Sequence, residues 1–194
     1  MNQNEIEQSE KIAFMGIYTD PDFSYTFQYK EALDLLYQSD KPIDTIALPM
    51  MFLMRHYLEL MLKYNIKYFS KFSESKSMIK KLNNEHRLEP LANSFQEHWN
   101  LVVKKYNLQI DDKEYMKNFK ILINIINKLD SSSMSFRYAY DKNENKHFKY
   151  DKTIDIYSIK KLLEEVLPLL VYSTDVFYQQ VGQYIEQEEE MMRE

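Results

Sequence analysis

Apolar side chains recur at three- and four-residue spacings over most of this chain, the period of an α-helix that buries one face. Five segments carry the pattern. The first, Phe23 to Gln38, contains Phe27, Leu33, Leu35, Leu36 and Tyr37 and follows Thr19-Asp20-Pro21, a helix-opening sequence. The second and longest runs from Ile43 to about Phe72, with Asp40 or Asp44 as its cap. Pro49 lies in its first two turns and marks either a kink or the true start. After a serine- and lysine-rich loop, Ser73 to Asn84, a third helix spans about Glu85 to Tyr106, with Pro90 as a potential break. A fourth opens at Asp111-Asp112, where acidic residues suit a helix N-terminus, and ends at Leu129. The last covers about Ser158 to Met192. It buries Ile159, Leu162, Leu163, Val166, Leu169 and Leu170, and Pro168 is expected to bend or split it.

The period changes at Ser131. Phe136, Tyr138 and Tyr140 fall at every second position, as in a strand, and Asp141 to Asn145 has turn composition. His147 to Tyr150 then reads as a returning strand, so a small β-hairpin insertion is expected over residues 131–152. The fold class that follows is all-α: an up-and-down bundle of about five helices with that hairpin, in a single domain spanning residues 1–194. No internal repeat or linker interrupts it, and residues 183–194 form an acidic tail.

Composition narrows the chemistry. With 194 residues, 44% hydrophobic and 28% charged, the chain has the balance of a globular protein. It has no cysteine, which excludes disulfides, thiolate metal sites and cysteine nucleophiles. It has only two glycines, Gly16 and Gly182, too few for a phosphate-cradling glycine loop. The four histidines show no metal-ligand spacing, so neither a metal nor a cofactor is expected. No hydrolase elbow is present. The N-terminal segment lacks a secretory pattern and no apolar run reaches the length of a membrane span, so a cytoplasmic location without membrane contact is expected.

Net charge is −5, which makes the whole molecule a poor electrostatic partner for nucleic acid, but the charge is uneven. Between Lys63 and Arg87 seven basic residues face only Glu74 and Glu85. Such a stretch suits a local phosphate-binding face or an ordinary solvated surface.

Within the longest helix, Arg55, His56, Glu59, Lys63 and Lys67 fall within a stripe about 120° wide, and nearly every other position is apolar. A helix apolar around most of its circumference sits centrally in a bundle. Its polar stripe must then reach water, a cleft or partner side chains, because unpaired buried charge is costly. Arg137, one of four arginines, lies between Phe136 and Tyr138. It is placed to meet Glu59 bidentately or to hold a phosphate, if it does not point into water. His86 opens the third helix, as a site residue or a surface one, while His98 beside Trp99 reads as a packing position.

Three runs, PMMFLMRHYLELMLK, NNEHRLEPL and LDSSSMSFRYAYD, together resemble bacterial proteins related to the HEPN superfamily, across roughly Ile43 to Tyr140. That resemblance implies a small helical bundle, often dimeric. Many such proteins act as metal-independent ribonucleases in toxin–antitoxin, abortive-infection and phage-defence systems, and others are non-catalytic binding modules. Catalytic members carry an Arg, then four to six residues, then a His on one helix. Here the pairs are Arg55-His56, Arg87 with His98, and Arg137 with His147, and none has that spacing.

Two functions follow as expectations. In the first, the protein acts on RNA or a nucleotide: His56 or His86 is the general base, Arg55 and Arg137 stabilise phosphate charge, and Glu59 belongs to the same site. A homodimer can assemble such a site from two chains. In the second, the protein is a non-catalytic module that dimerises or binds a partner protein, with Arg55, Glu59 and Arg137 as a structural network.

Overall fold

A computed structural model describes residues 20–75, 79, 81–149 and 153–192. Helix α1, Pro21–Tyr37, starts where Asp20 accepts a hydrogen bond from the Phe23 N–H at 3.1 Å, with Pro21 in the first turn. Helix α2, Ile43–Phe69, runs through Pro49 without a break. Its cap is Pro42, and neither Asp40 nor Asp44 caps it with a side chain: the Pro42 carbonyl accepts the Thr45 N–H and hydroxyl instead.

A short 3-10 turn, Leu82–Asn84, leads to helix α3, Leu88–Tyr106. The expected helical start at Glu85 is displaced because the Glu85 carboxylate accepts the Arg87 N–H and guanidinium, holding the chain extended. Pro90 therefore falls in the first turn of α3, where the missing N–H has no helical partner to lose. Helix α4, Lys113–Leu129, follows Asp111-Asp112 as expected. The Asp112 carboxylate makes no cap, and accepts the Trp99 indole N–H at 2.6 Å.

Helix α5, Ile156–Phe177, is opened by Asp155, which accepts both the N–H and the hydroxyl of Ser158. Pro168 does not split it. The irregularity comes later, as a π-helical turn over Tyr178–Gly182 that leads into α6, Gln183–Met191. The expected end of the acidic tail, residues 193–194, lies outside the described residues.

The chain is all-α, a helical bundle, and the described residues contain no strand. The expected hairpin is reduced to one antiparallel bridge between Tyr140 and Lys146, and Tyr150 of its returning strand is outside the described residues. The backbone donors explain why. Asp130 Oδ1 accepts the N–H groups of Met134 and Ser135, and the Met134 carbonyl accepts those of Arg137 and Tyr138. Asp141 likewise accepts the N–H groups of Asn143 and Asn145. Donors committed to local turns are not available to a β-ladder.

Helix α2 is the centre of the core. Met50, Met51, Met54, Leu58 and Leu62 have no exposed surface. The flexible thioethers fill space between α1, α3 and α5 that branched side chains fit less well. At the other end, Phe69 packs against Trp99 at 5.1 Å and Phe177 at 6.1 Å between ring centroids. Asn65 is fully buried and donates to the Leu170 carbonyl at 2.8 Å, tying α2 to α5. No helix among the described residues is long and apolar enough to cross a membrane.

Candidate functional site

The polar stripe of α2 does not face water. Arg55 is 1% exposed and Glu59 2%, in the middle of an apolar helix. Residues four apart on a helix face one another, so Arg55 Nη1 donates to Glu59 Oε2 at 3.2 Å. The rest of the guanidinium is taken by two loops. Its Nη1 also donates to the Ser133 hydroxyl at 2.8 Å, and Nε to the Asp130 carbonyl at 3.3 Å. Nη2 donates to the His86 carbonyl at 2.6 Å. The Asp130 carboxylate, itself buried, completes the group at 3.4 Å from Nε.

Glu59 is shared in the same way. Its Oε1 accepts from Lys63 Nζ and lies 2.8 Å from His86 Nδ1. Lys63 also donates to the Asn83 carbonyl. Burial pushes the Glu59 carboxyl up, but the hydrogen bonds of Lys63 and His86 and their charges outweigh it and hold its pKa below the usual range. Arg55 and Lys63 against Glu59 and Asp130 balance to zero net charge in the buried cluster. Burial lowers the Arg55 pKa against the opposing pull of Asp130 and Glu59. An arginine stays ionised regardless.

Each residue expected at a site has a definite place. Arg55, Glu59 and His86 come together. His56 does not join them, because adjacent helix residues point about 100° apart. It stacks on Phe52 at 5.7 Å and meets the Tyr29 ring edge-on at 4.4 Å. Burial lowers its pKa, with Lys63, Arg55 and Arg137 adding to that against the pull of Glu59. Arg137 does not reach Glu59, because the segment is a turn rather than a strand. Its Nε and Nη2 donate to the Ser133 carbonyl, and its guanidinium lies 5.9 Å from the Phe52 ring centroid. His86 is the accessible member, with its side chain 60% exposed.

Asp130 and Ser133 were not among the expected site residues. Ser133 has a φ of 67°, a left-handed conformation that costs a non-glycine residue of order 1–3 kcal/mol, and it is held there by Arg55 on its hydroxyl and Arg137 on its carbonyl. The available signal was the acidic residue followed by three serines at the end of a helix, a sequence that folds back on its own backbone.

The chain matches no family model, no curated protein and no solved structure. The three runs Pro49 to Lys63, Asn83 to Leu91 and Leu129 to Asp141 meet at one point, the Arg55 guanidinium. Among the described residues no group of three His, Asp or Glu side chains is placed to hold a metal ion.

Truncating Arg55 leaves Glu59 and Asp130 buried without their main cation. Arg55→Ala is therefore expected to cost about 3–5 kcal/mol in urea unfolding, and Arg55→Lys to recover little, since a single ammonium does not reproduce the planar fork. An R55A protein of wild-type stability would contradict this reading. The pH dependence has a definite sign. His56 and His98 have folded pKa values lowered chiefly by burial, so the unfolded chain binds more protons and stability falls as pH drops below about 6.5. Asp34 and Glu59, also lowered, add a second decline below about pH 4. Unfolding midpoints measured from pH 8 to pH 3 test this, and His98→Asn should flatten only the upper step.

Proposed function

We propose that this protein is a non-catalytic interaction module, HEPN-like in type, of a bacterial defence or toxin-type system, and that it acts by associating with a second copy or a partner protein. The observation that carries the reading is the burial of Arg55 with every guanidinium nitrogen bonded to the protein. An arginine in that state has no access to a phosphate. Its energetic role is to hold two loops on α2.

One further observation supports association. Phe23, Tyr25, Phe27 and Leu35 on α1 are exposed, Leu35 by 68% and Phe27 by 57%. Phe23 and Phe27, four residues apart, share one face of α1, and exposed apolar faces mark interaction surfaces. The convergence of the three HEPN-like runs on one buried cluster also gives those residues a structural reason to occur together.

A second reading has one specific observation in its favour. His86 is exposed on a buried carboxylate, with Nδ1 at 2.8 Å from Glu59. A carboxylate that fixes one ring nitrogen leaves the other to act as a general base toward a ribose 2′-hydroxyl, without a metal. The cation nearest in sequence, Arg87, is paired with Glu85, so phosphate stabilisation is the missing part.

One pair of measurements separates the readings. Light scattering on the wild type at micromolar concentration is expected to give a dimer, and Phe27→Glu with Leu35→Glu a monomer of unchanged melting temperature. In parallel, mixed cellular RNA incubated with the protein in EDTA is expected to stay intact. Cleavage that His86→Ala abolishes at matched stability would overturn the non-catalytic reading in favour of the second.

A further inference from the structure

A cavity of about 330 Å³ opens between α3, the start of α4 and α5. Its aromatic walls are Trp99, Tyr115 and Tyr172, with Pro168 beside them and Asp111 and Asp112 in the lining. We propose that this cavity binds a small organic cation, an ammonium group carried on an apolar body. The inference is independent of the proposed function.

The volume is within the range of small-molecule sites. The wall chemistry selects the ligand. Aromatic faces carry negative potential and attract ammonium groups, most strongly when several rings and a carboxylate share the site. Trp99 is only 2% exposed and its indole N–H is held by Asp112 Oδ2 at 2.6 Å, so the ring is fixed in place and a carboxylate is anchored beside it. Tyr115 and Tyr172 are 39% and 57% exposed, which leaves both accessible to an incoming ligand. No lysine or arginine lines the cavity. The start of α4 opposes a cation with the equivalent of about half a positive charge, which two lining carboxylates exceed.

The backbone around the cavity is irregular in ways that shape it. Asn107 ends α3 in a left-handed conformation, φ 52°, turning the chain toward α5. Gln109 and Gln180 then bond reciprocally: the Gln109 N–H donates to Gln180 Oε1 at 3.0 Å, and Gln180 Nε2 to the Gln109 carbonyl at 3.4 Å. Gln180 lies within the π-helical turn, a type of irregularity that recurs at ligand sites. Gly182 closes that turn, where a Cβ would stand 2.8 Å from the Tyr178 ring.

Trp99 is the only tryptophan, so no other indole contributes to a fluorescence change at this cavity. The probe is benzyltrimethylammonium, titrated into the full chain with calorimetry in parallel so that an optically silent event is still seen. Saturable binding with a millimolar or tighter Kd is expected, with benzyl alcohol at least about fivefold weaker. Asp111→Asn and Tyr172→Ala, both at exposed positions, should each weaken the cation by about threefold or more while leaving the melting temperature unchanged. Sodium chloride at the same ionic strength should give no saturable signal. Absence of binding by both methods up to about 20 mM, equal binding of benzyl alcohol, or unchanged affinity in both variants would each overturn the proposal.

Discussion

A full positive charge on Arg55 sits in the interior of the bundle, and the arrangement of the surrounding loops follows from what that charge requires. Removing an ion from water costs several kcal/mol even after the protein relaxes, and the cost is offset only when geometry and hydrogen bonding are nearly complete. Here the guanidinium draws in partners 31, 75 and 78 residues away in sequence, so one side chain closes two long loops onto α2. Phe72 and Leu82 before α3, and Phe136 after α4, add apolar anchors to the same segments. Ser133 accepts a strained backbone because two arginines hold it.

The same interaction decides between two meanings of one residue set. Arginine, histidine and glutamate on a helix beside a second histidine are the side chains a phosphodiester reaction uses, and they are also the side chains a buried ion network uses. Accessibility separates the two. Arg55 and Glu59 are inside and saturated, His56 is packed between rings, and only His86 faces outward. Under the proposed non-catalytic reading, these residues serve cohesion, with one exposed histidine attached to the set.

Much of the fold was legible in the chain. The α1 and α5 starts rest on local bonds from Asp20 and Asp155 that need no tertiary information, and the apolar circumference of α2 announced a central helix. The Arg55–Glu59–Lys63 stripe was readable because its spacing is fixed by helix geometry. What was not readable depended on partners distant in sequence or on competing local bonds. The alternating aromatics after Ser135 have a strand's period, but Asp130 captures the neighbouring N–H groups first. Of the places open to Arg137, Glu59 is already taken by Arg55 on the same helix, and the turn brings Arg137 to the Ser133 carbonyl. Asp112 stands at the start of α4 as expected, but its carboxylate serves Trp99.

The central claim is that Arg55 and Glu59 stabilise the protein as one unit rather than as two independent polar residues. A double-mutant cycle in urea with Arg55→Met, Glu59→Met and the double substitution measures that directly. Strong coupling is expected, about 2 kcal/mol or more, with the double variant losing less than the sum of the single variants because neither partner of the pair is then left facing an absent one, while the loss of the Asp130 contact is common to the Arg55 single and the double variant. Additive losses would contradict it, and would mean that the two side chains act separately.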